Sequence, residues 1–158
     1  MDIGGGASRL VDALLDAGFR HVTVLDIAES ALDLAMRRLG PRASAVTWVR
    51  ADVASREPGV PFDLWHDRAV FHFMTRPENR QAYLATLRKT LRPGGQAIIA
   101  TFSMTGPERS GLPVMRYEPE SPAVELGGSF RLAESLREEH VTPAGKVQNF
   151  QFSRFARV

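Results

Sequence analysis

The sequence predicts a doubly wound α/β domain. Short β-branched apolar runs alternate with helical stripes, glycine turns stand at the junctions, and only the last third changes to long polar–apolar alternation. The apolar runs are "HVTVLDI" (21–27), "SAVTWVRADV" (44–53), a strand opening at Phe62 in "FDLWHDRAVF", and "QAIIATF" (96–102). Strands separated by helices pair as parallel neighbours, because parallel strands need crossover connections, and the crossovers place helices on both faces of a mostly parallel sheet.

Each element has its own signal. From Ser8 to Ala17 the apolar positions Leu10, Val11, Leu14 and Leu15 keep a helical period, and Gly18 falls where a left-handed cap ends a helix. "ESALDLAMRRLGP" carries Leu32, Ala35, Met36 and Leu39 on one stripe and stops at Gly40 and Pro41. "TRPENRQAYLATLRKTLRPGG" predicts a helix with a capping box, Thr75 with Glu78. Its inward face is Tyr83, Leu84, Leu87 and Leu91, and Pro93 and Gly94 end it. "FRLAESLREEHV" and "VQNFQFSRFARV", joined by "TPAGK", predict a C-terminal antiparallel hairpin. The stretch between Phe102 and this hairpin, rich in glycine, proline and charge, predicts a loop with one short helix near Ala123 to Leu126.

Composition narrows the function classes. The 158 residues, 44% hydrophobic, suffice for one ordinary core, so 1–158 is expected to be a single domain. A formal net charge of +2 predicts no nucleic-acid partner. No apolar run reaches the roughly 18 residues of a membrane span, and the N-terminus has a glycine turn where a signal peptide would be apolar, so a cytoplasmic protein without a membrane partner is expected. The absence of cysteine removes disulfides, thiolate ligands and a cysteine nucleophile, and no metal site is expected.

The chemistry-bearing residues gather at the predicted carboxyl ends of strands. Gly4, Gly5 and Gly6 stand before a helix, where amides without a Cβ obstruction can approach a ligand at the positive end of a helix dipole. A tight turn is the bland alternative, and Arg9 breaks the dinucleotide pattern G-x-G-x-x-G. Asp2 precedes the turn. Asp26 ends the second strand about 20 residues on, where a carboxylate can accept from both ribose hydroxyls, and Asp52 stands at the end of the third. Any one aspartate alone reads as a loop cap; three at successive strand ends predict a nucleoside site.

"DIGGGAS", "VTVLDI", "VRADV", "FDLWHDRAVFHF" and "LRPGGQAIIATF", in this order and spacing, resemble the class I S-adenosylmethionine-dependent methyltransferases over essentially the whole chain. The resemblance implies a Rossmann-like sheet of seven strands with the last antiparallel. It also implies S-adenosylmethionine as cofactor and S-adenosylhomocysteine as product. Asp2 and Gly4 to Gly6 would surround the methionine part, Asp26 hold the ribose, Ile27 and Val53 pack on the adenine, and Asp52 accept from its amino group. "HDRAVFHF" occupies the junction between cofactor and acceptor. His66 is placed on the cofactor side, and Asp67, Arg68 and His72 on the acceptor side. Asp67 and Arg68 can equally form a structural salt bridge, and His66 and His72 are the candidate proton acceptors. Arg109, Arg116 and Tyr117 can face an acceptor or line a solvated loop, and His140 reaches the same mouth or caps the hairpin turn.

The expected function is methyl transfer from S-adenosylmethionine to a small-molecule or protein acceptor. The alternatives are a protein that binds the cofactor or its product without catalysis, and a domain with no ligand. The helices that usually precede the first strand in this family, and most of that strand, have no counterpart before Gly4. An N-terminally shortened domain is therefore expected. Its open sheet would be covered by a second copy in a homodimer or by a repacked segment, because unpaired buried amides are costly.

Overall fold

Asp2 and Ile3 form the first strand, β1, and pair on both sides in the computed structural model, which describes residues 1–55, 59–107, 111–118, 121–142 and 144–158. After the glycine turn come α1 (Leu10–Asp16), β2 (Val22–Asp26), α2 (Glu29–Leu39), β3 (Val46–Arg50), β4 (Phe62–Arg68), α3 (Pro77–Thr90) and β5 (Leu91–Ser103). The chain closes with the short β6 (Arg116–Tyr117), α4 (Ser121–Leu126), and the hairpin strands β7 (Phe130–Val141) and β8 (Val147–Arg157). The sheet order is β3-β2-β1-β4-β5-β8-β7. The first five strands run parallel, and β8 runs antiparallel between β5 and β7. The expected plan is observed with one addition, the two-residue β6 beside the end of β5, which makes eight strands instead of seven.

Strand periodicity sorts the core into two layers. Val22 and Val24 of β2 and Val46 of β3 pack on Val11 of α1 and on Leu32 and Leu39 of α2. On the opposite face Ile3, Leu25, Trp65, Ala97 and Ile99 meet Tyr83, Leu84 and Leu87 of α3 and Leu126 of α4. Helices therefore cover both faces, as the alternating pattern requires. No helix among the described residues is long and apolar enough to cross a membrane.

Two local expectations need correction. Thr75 does not cap α3: Pro77 takes the first helical position, Arg76 is the cap residue, and Glu78 accepts from Arg76 Nε at 2.6 Å instead of closing a box. Pro93 and Gly94 do not end that helix in a turn either. The chain is already extended at Leu91, and both residues lie in the leading part of β5, where pairing with β4 is irregular between Phe62 and Leu64. A residue before proline is driven out of the helical region, which favours this early start. Pro58, Arg109 and Pro143 lie outside the described residues.

A groove of about 680 Å3 lies beside β1, flanked by Val22 and Thr23 of β2 and Phe62 and Leu64 of β4. The Met1 ammonium enters it and donates to Leu64 O at 2.7 Å, and burial pushes its pKa down to about 6.

The turn after β1 demands glycine. Gly4 has φ +66° and Gly6 φ +35°, and a Cβ on Gly4 would overlap a methyl of Val70. Gly4→Ala is expected to lower stability by roughly 2 kcal/mol through left-handed strain and overpacking, read as a shift of the urea midpoint at unchanged slope.

Candidate active site

The glycine turn is tied to its neighbours by its own backbone: Gly4 N donates to Leu25 O at 2.7 Å, and Ser8 N to Gly5 O at 2.8 Å. Asp2 lies beneath it, 4% exposed. One of its oxygens is 2.8 Å from His66 Nδ1, and its carboxylate fills the space a Gly5 Cβ would need. Asp2 and His66 are register partners on adjacent strands, so their side chains share one face. His66 is thus engaged with Asp2 through Nδ1.

Asp26, at the carboxyl end of β2, accepts from Ala28 N through Oδ1 at 2.8 Å, while its Oδ2 lies 2.7 Å from the place a Gly6 Cβ would occupy. Asp52, two residues beyond β3, accepts from Ala54 N through Oδ1 at 2.9 Å, and Ala51 N donates to Asp26 O at 3.1 Å, which stitches the two strand ends together. The second carboxylate oxygen of each has no hydrogen-bond partner among the described residues. Ile27 is 69% exposed beside Asp26, an open apolar surface. Val53 differs from expectation: it is 3% exposed and its side chain is spent in the core with Leu25 and Ile3, leaving only its backbone at the edge.

At the end of β4 the adjacent residues Asp67 and Arg68 separate. Asp67 is 0% exposed; its Oδ1 accepts from Val70 N at 2.8 Å, and its Oδ2 from Phe71 N at 3.0 Å and Tyr83 Oη at 2.6 Å. Trp65 Nε1 donates in turn to Tyr83 Oη at 2.9 Å. The expectation that Asp67 meets an acceptor is therefore corrected, and so is the Asp67–Arg68 salt bridge. Consecutive strand residues point to opposite faces, and Arg68 instead lays its guanidinium 5.0 Å above the Phe150 ring. His140 stands edge-on to the same ring at 6.2 Å.

His72 is also corrected as a proton acceptor. It is 0% exposed, stacks on Phe102 at 4.2 Å, and its Nδ1 accepts from Phe102 N at 3.2 Å. That bond assigns the proton to Nε2, so the ring has no open lone pair, and Nε2 is without a partner among the described residues. Tyr117 lies in the core, 2% exposed with its ring tilted against Phe71, and Arg116 donates to Met104 O at 3.1 Å. The partners missed in the sequence are Tyr83, Val70 and Phe150. Tyr83 sits on an apolar helical stripe that reads as core, and Phe150 meets Arg68 only through strand order. No cluster of metal-ligating side chains is found among the described residues.

A family described as a methyltransferase domain matches residues 1–97, the part that carries the glycine turn, the aspartates and β4. The chain belongs to the class I S-adenosylmethionine-dependent methyltransferases. It is 36% identical over 88 residues to thiocyanate methyltransferase 1 of Brassica oleracea, covering 54% of this chain and 38% of that protein. It is 32% identical over 103 residues to malonyl-[acyl-carrier protein] O-methyltransferase of Anoxybacillus flavithermus, covering 65% of this chain and 38% of that one. The chain thus spans well under half the length of these relatives. The N-methyltransferase NodS of Bradyrhizobium japonicum, solved with S-adenosylhomocysteine, superposes with a TM-score of 0.79 at 19% identity over 99% of this chain and 76% of its own.

Burial shifts two groups of this chain in opposite directions. Burial raises Asp67 from 3.8 to about 6, although the hydrogen bonds from Tyr83, Val70 and Phe71 pull it the other way. The stability it contributes is present in acid and is lost as pH rises from about 4 through 6. Burial lowers His72 from 6.5 to about 4, so its contribution is present above 6.5 and lost as pH falls towards 4. In the window between, the two offset. Removing the Asp67 titration with Asp67→Asn should make stability fall more steeply on acidification, as measured by urea unfolding at several pH values.

Proposed function

We propose that this chain binds S-adenosylmethionine at the carboxyl edge of β1, β2 and β3 and transfers its methyl group to a small anionic acceptor on the β4 side. The observation that carries the reading is the set of strand-end carboxylates around one glycine turn. Asp26 and Asp52 each spend one oxygen on a local backbone amide, and the other has no hydrogen-bond partner among the described residues. These second oxygens suit a donor-rich nucleoside, with Asp26 accepting from ribose hydroxyls and Asp52 from the adenine amino group. Ile27 supplies apolar surface for the base, and the backbone of Val53 borders it. Asp2, held by His66, and Gly4 to Gly6 would border the amino-acid part. Glycine at 4, 5 and 6 lets Val70, Asp2 and Asp26 crowd against the turn, which keeps two of the proposed cofactor carboxylates close to its backbone.

The cofactor, when bound, supplies a methyl group already activated by its sulfonium charge. The protein's own task is therefore to align the acceptor and exclude water, with little acid–base work. That agrees with a site in which His72 is buried and neutral and His66 is paired to Asp2. Arg68, spread over Phe150 at the end of β4, can hold an anion while the ring fixes its plane. Thiocyanate and the malonyl group, the acceptors in the names of two relatives, both carry negative charge.

Calorimetric titration with S-adenosylmethionine and S-adenosylhomocysteine tests the cofactor reading. Asp26→Ala should weaken both by about 1 to 3 kcal/mol, and unchanged affinity would remove Asp26 from the site. Turnover of a methyl-labelled donor separates catalysis from binding alone. A homodimer closed over the groove beside β1 predicts a light-scattering mass near twice the 17.4 kDa of the chain; a 17.4 kDa particle rules it out.

A further inference from the structure

The residues between β4 and α3 make a turn whose shape is set from below. Ala69 adopts φ +72°, a left-handed conformation costly for a residue with a Cβ, and its N donates to Ala100 O at 3.0 Å. The next two amides, of Val70 and Phe71, both end on the Asp67 carboxylate, one on each oxygen. The Phe71 ring is then wedged between Tyr83 and Tyr117, at 4.9 and 5.5 Å. Held this way, Val70 places a methyl in the space beside Gly4. The buried carboxylate of β4 is thereby linked, through one turn, to the cradle after β1.

We propose that Asp67 is a positioning residue for the cofactor: by fixing the Val70 and Phe71 amides it holds Val70 against Gly4 and so sets the shape of the glycine turn. The inference rests on the cofactor reading above. Carboxylate chemistry explains why aspartate is needed. Three donors converge on two oxygens, whereas an asparagine offers one acceptor oxygen and would turn an NH2 towards a donor. Tyr83 supplies the third donor but does not touch the turn amides, so it separates loss of stability from loss of position.

The test compares Asp67→Asn, Val70→Ala and Tyr83→Phe in the full chain, with S-adenosylhomocysteine as the probe in calorimetry and thermal unfolding measured alongside. Asp67→Asn and Val70→Ala should weaken binding about tenfold. Tyr83→Phe, which strands the Trp65 indole N–H and lowers Tm, should stay within about twofold of the wild type. Val70→Ala leaves the carboxylate network intact and keeps the test valid if Asp67→Asn fails to fold. Wild-type affinity in Val70→Ala, or affinity losses that follow Tm equally in all variants, overturns the inference while leaving the cofactor reading standing. A wild-type chain that does not bind S-adenosylhomocysteine overturns both.

Discussion

The structure depends on two residues, Asp2 and Ile3, that pair simultaneously with β2 and β4. Among the described residues they join the β3-β2 half of the sheet path to the β4-β5-β8-β7 half. Because both pairings are parallel, this link also aligns the strand ends: the glycine turn, Asp26 and the last residues of β4 arrive at one edge. Ile3 anchors the link by burial with Leu25 and Trp65, while Asp2 on the other face takes His66. One short strand thus supplies a core contact and a polar contact at the same level of the sheet.

Alternation along β4 then divides labour between neighbours. Trp65 and Asp67 face α3 and join Tyr83 in a closed network, while His66 and Arg68 face the other way, to Asp2 and Phe150. A buried carboxylate is tolerated on the first face because it receives three hydrogen bonds; an unsatisfied one would cost far more than the turn could offset. On the second face Asp2 is buried against half-buried His66, while Arg68 at the strand end is exposed. The opposed shifts of Asp67 and His72 follow from the same principle, since burial penalises whichever form of each group is charged.

Much of this was legible in the residues. The helix stripes, the β-branched runs and the hairpin alternation placed nearly every element, because burial of a periodic face is a local property. The three aspartates could be assigned to strand ends for the same reason. The start of α3 and the early onset of β5 depart from the local pattern because proline overrides the usual stop and start signals, at Pro77 and Pro93. The roles of Asp67, Arg68, His72 and Val53 were not legible, since each depends on which face of the sheet is closed and by what.

The sequence by itself determined the α/β order, the glycine turn and the carboxylates that the strand ends carry, because these follow from periodicity and from conformations only glycine adopts readily. Only the tertiary structure decided that Asp67 is sealed beneath Tyr83, that His72 has no lone pair to offer, and that Arg68 lies on Phe150. Those contacts join residues far apart in the chain, and strand order with face, which no local pattern encodes, brings them within reach.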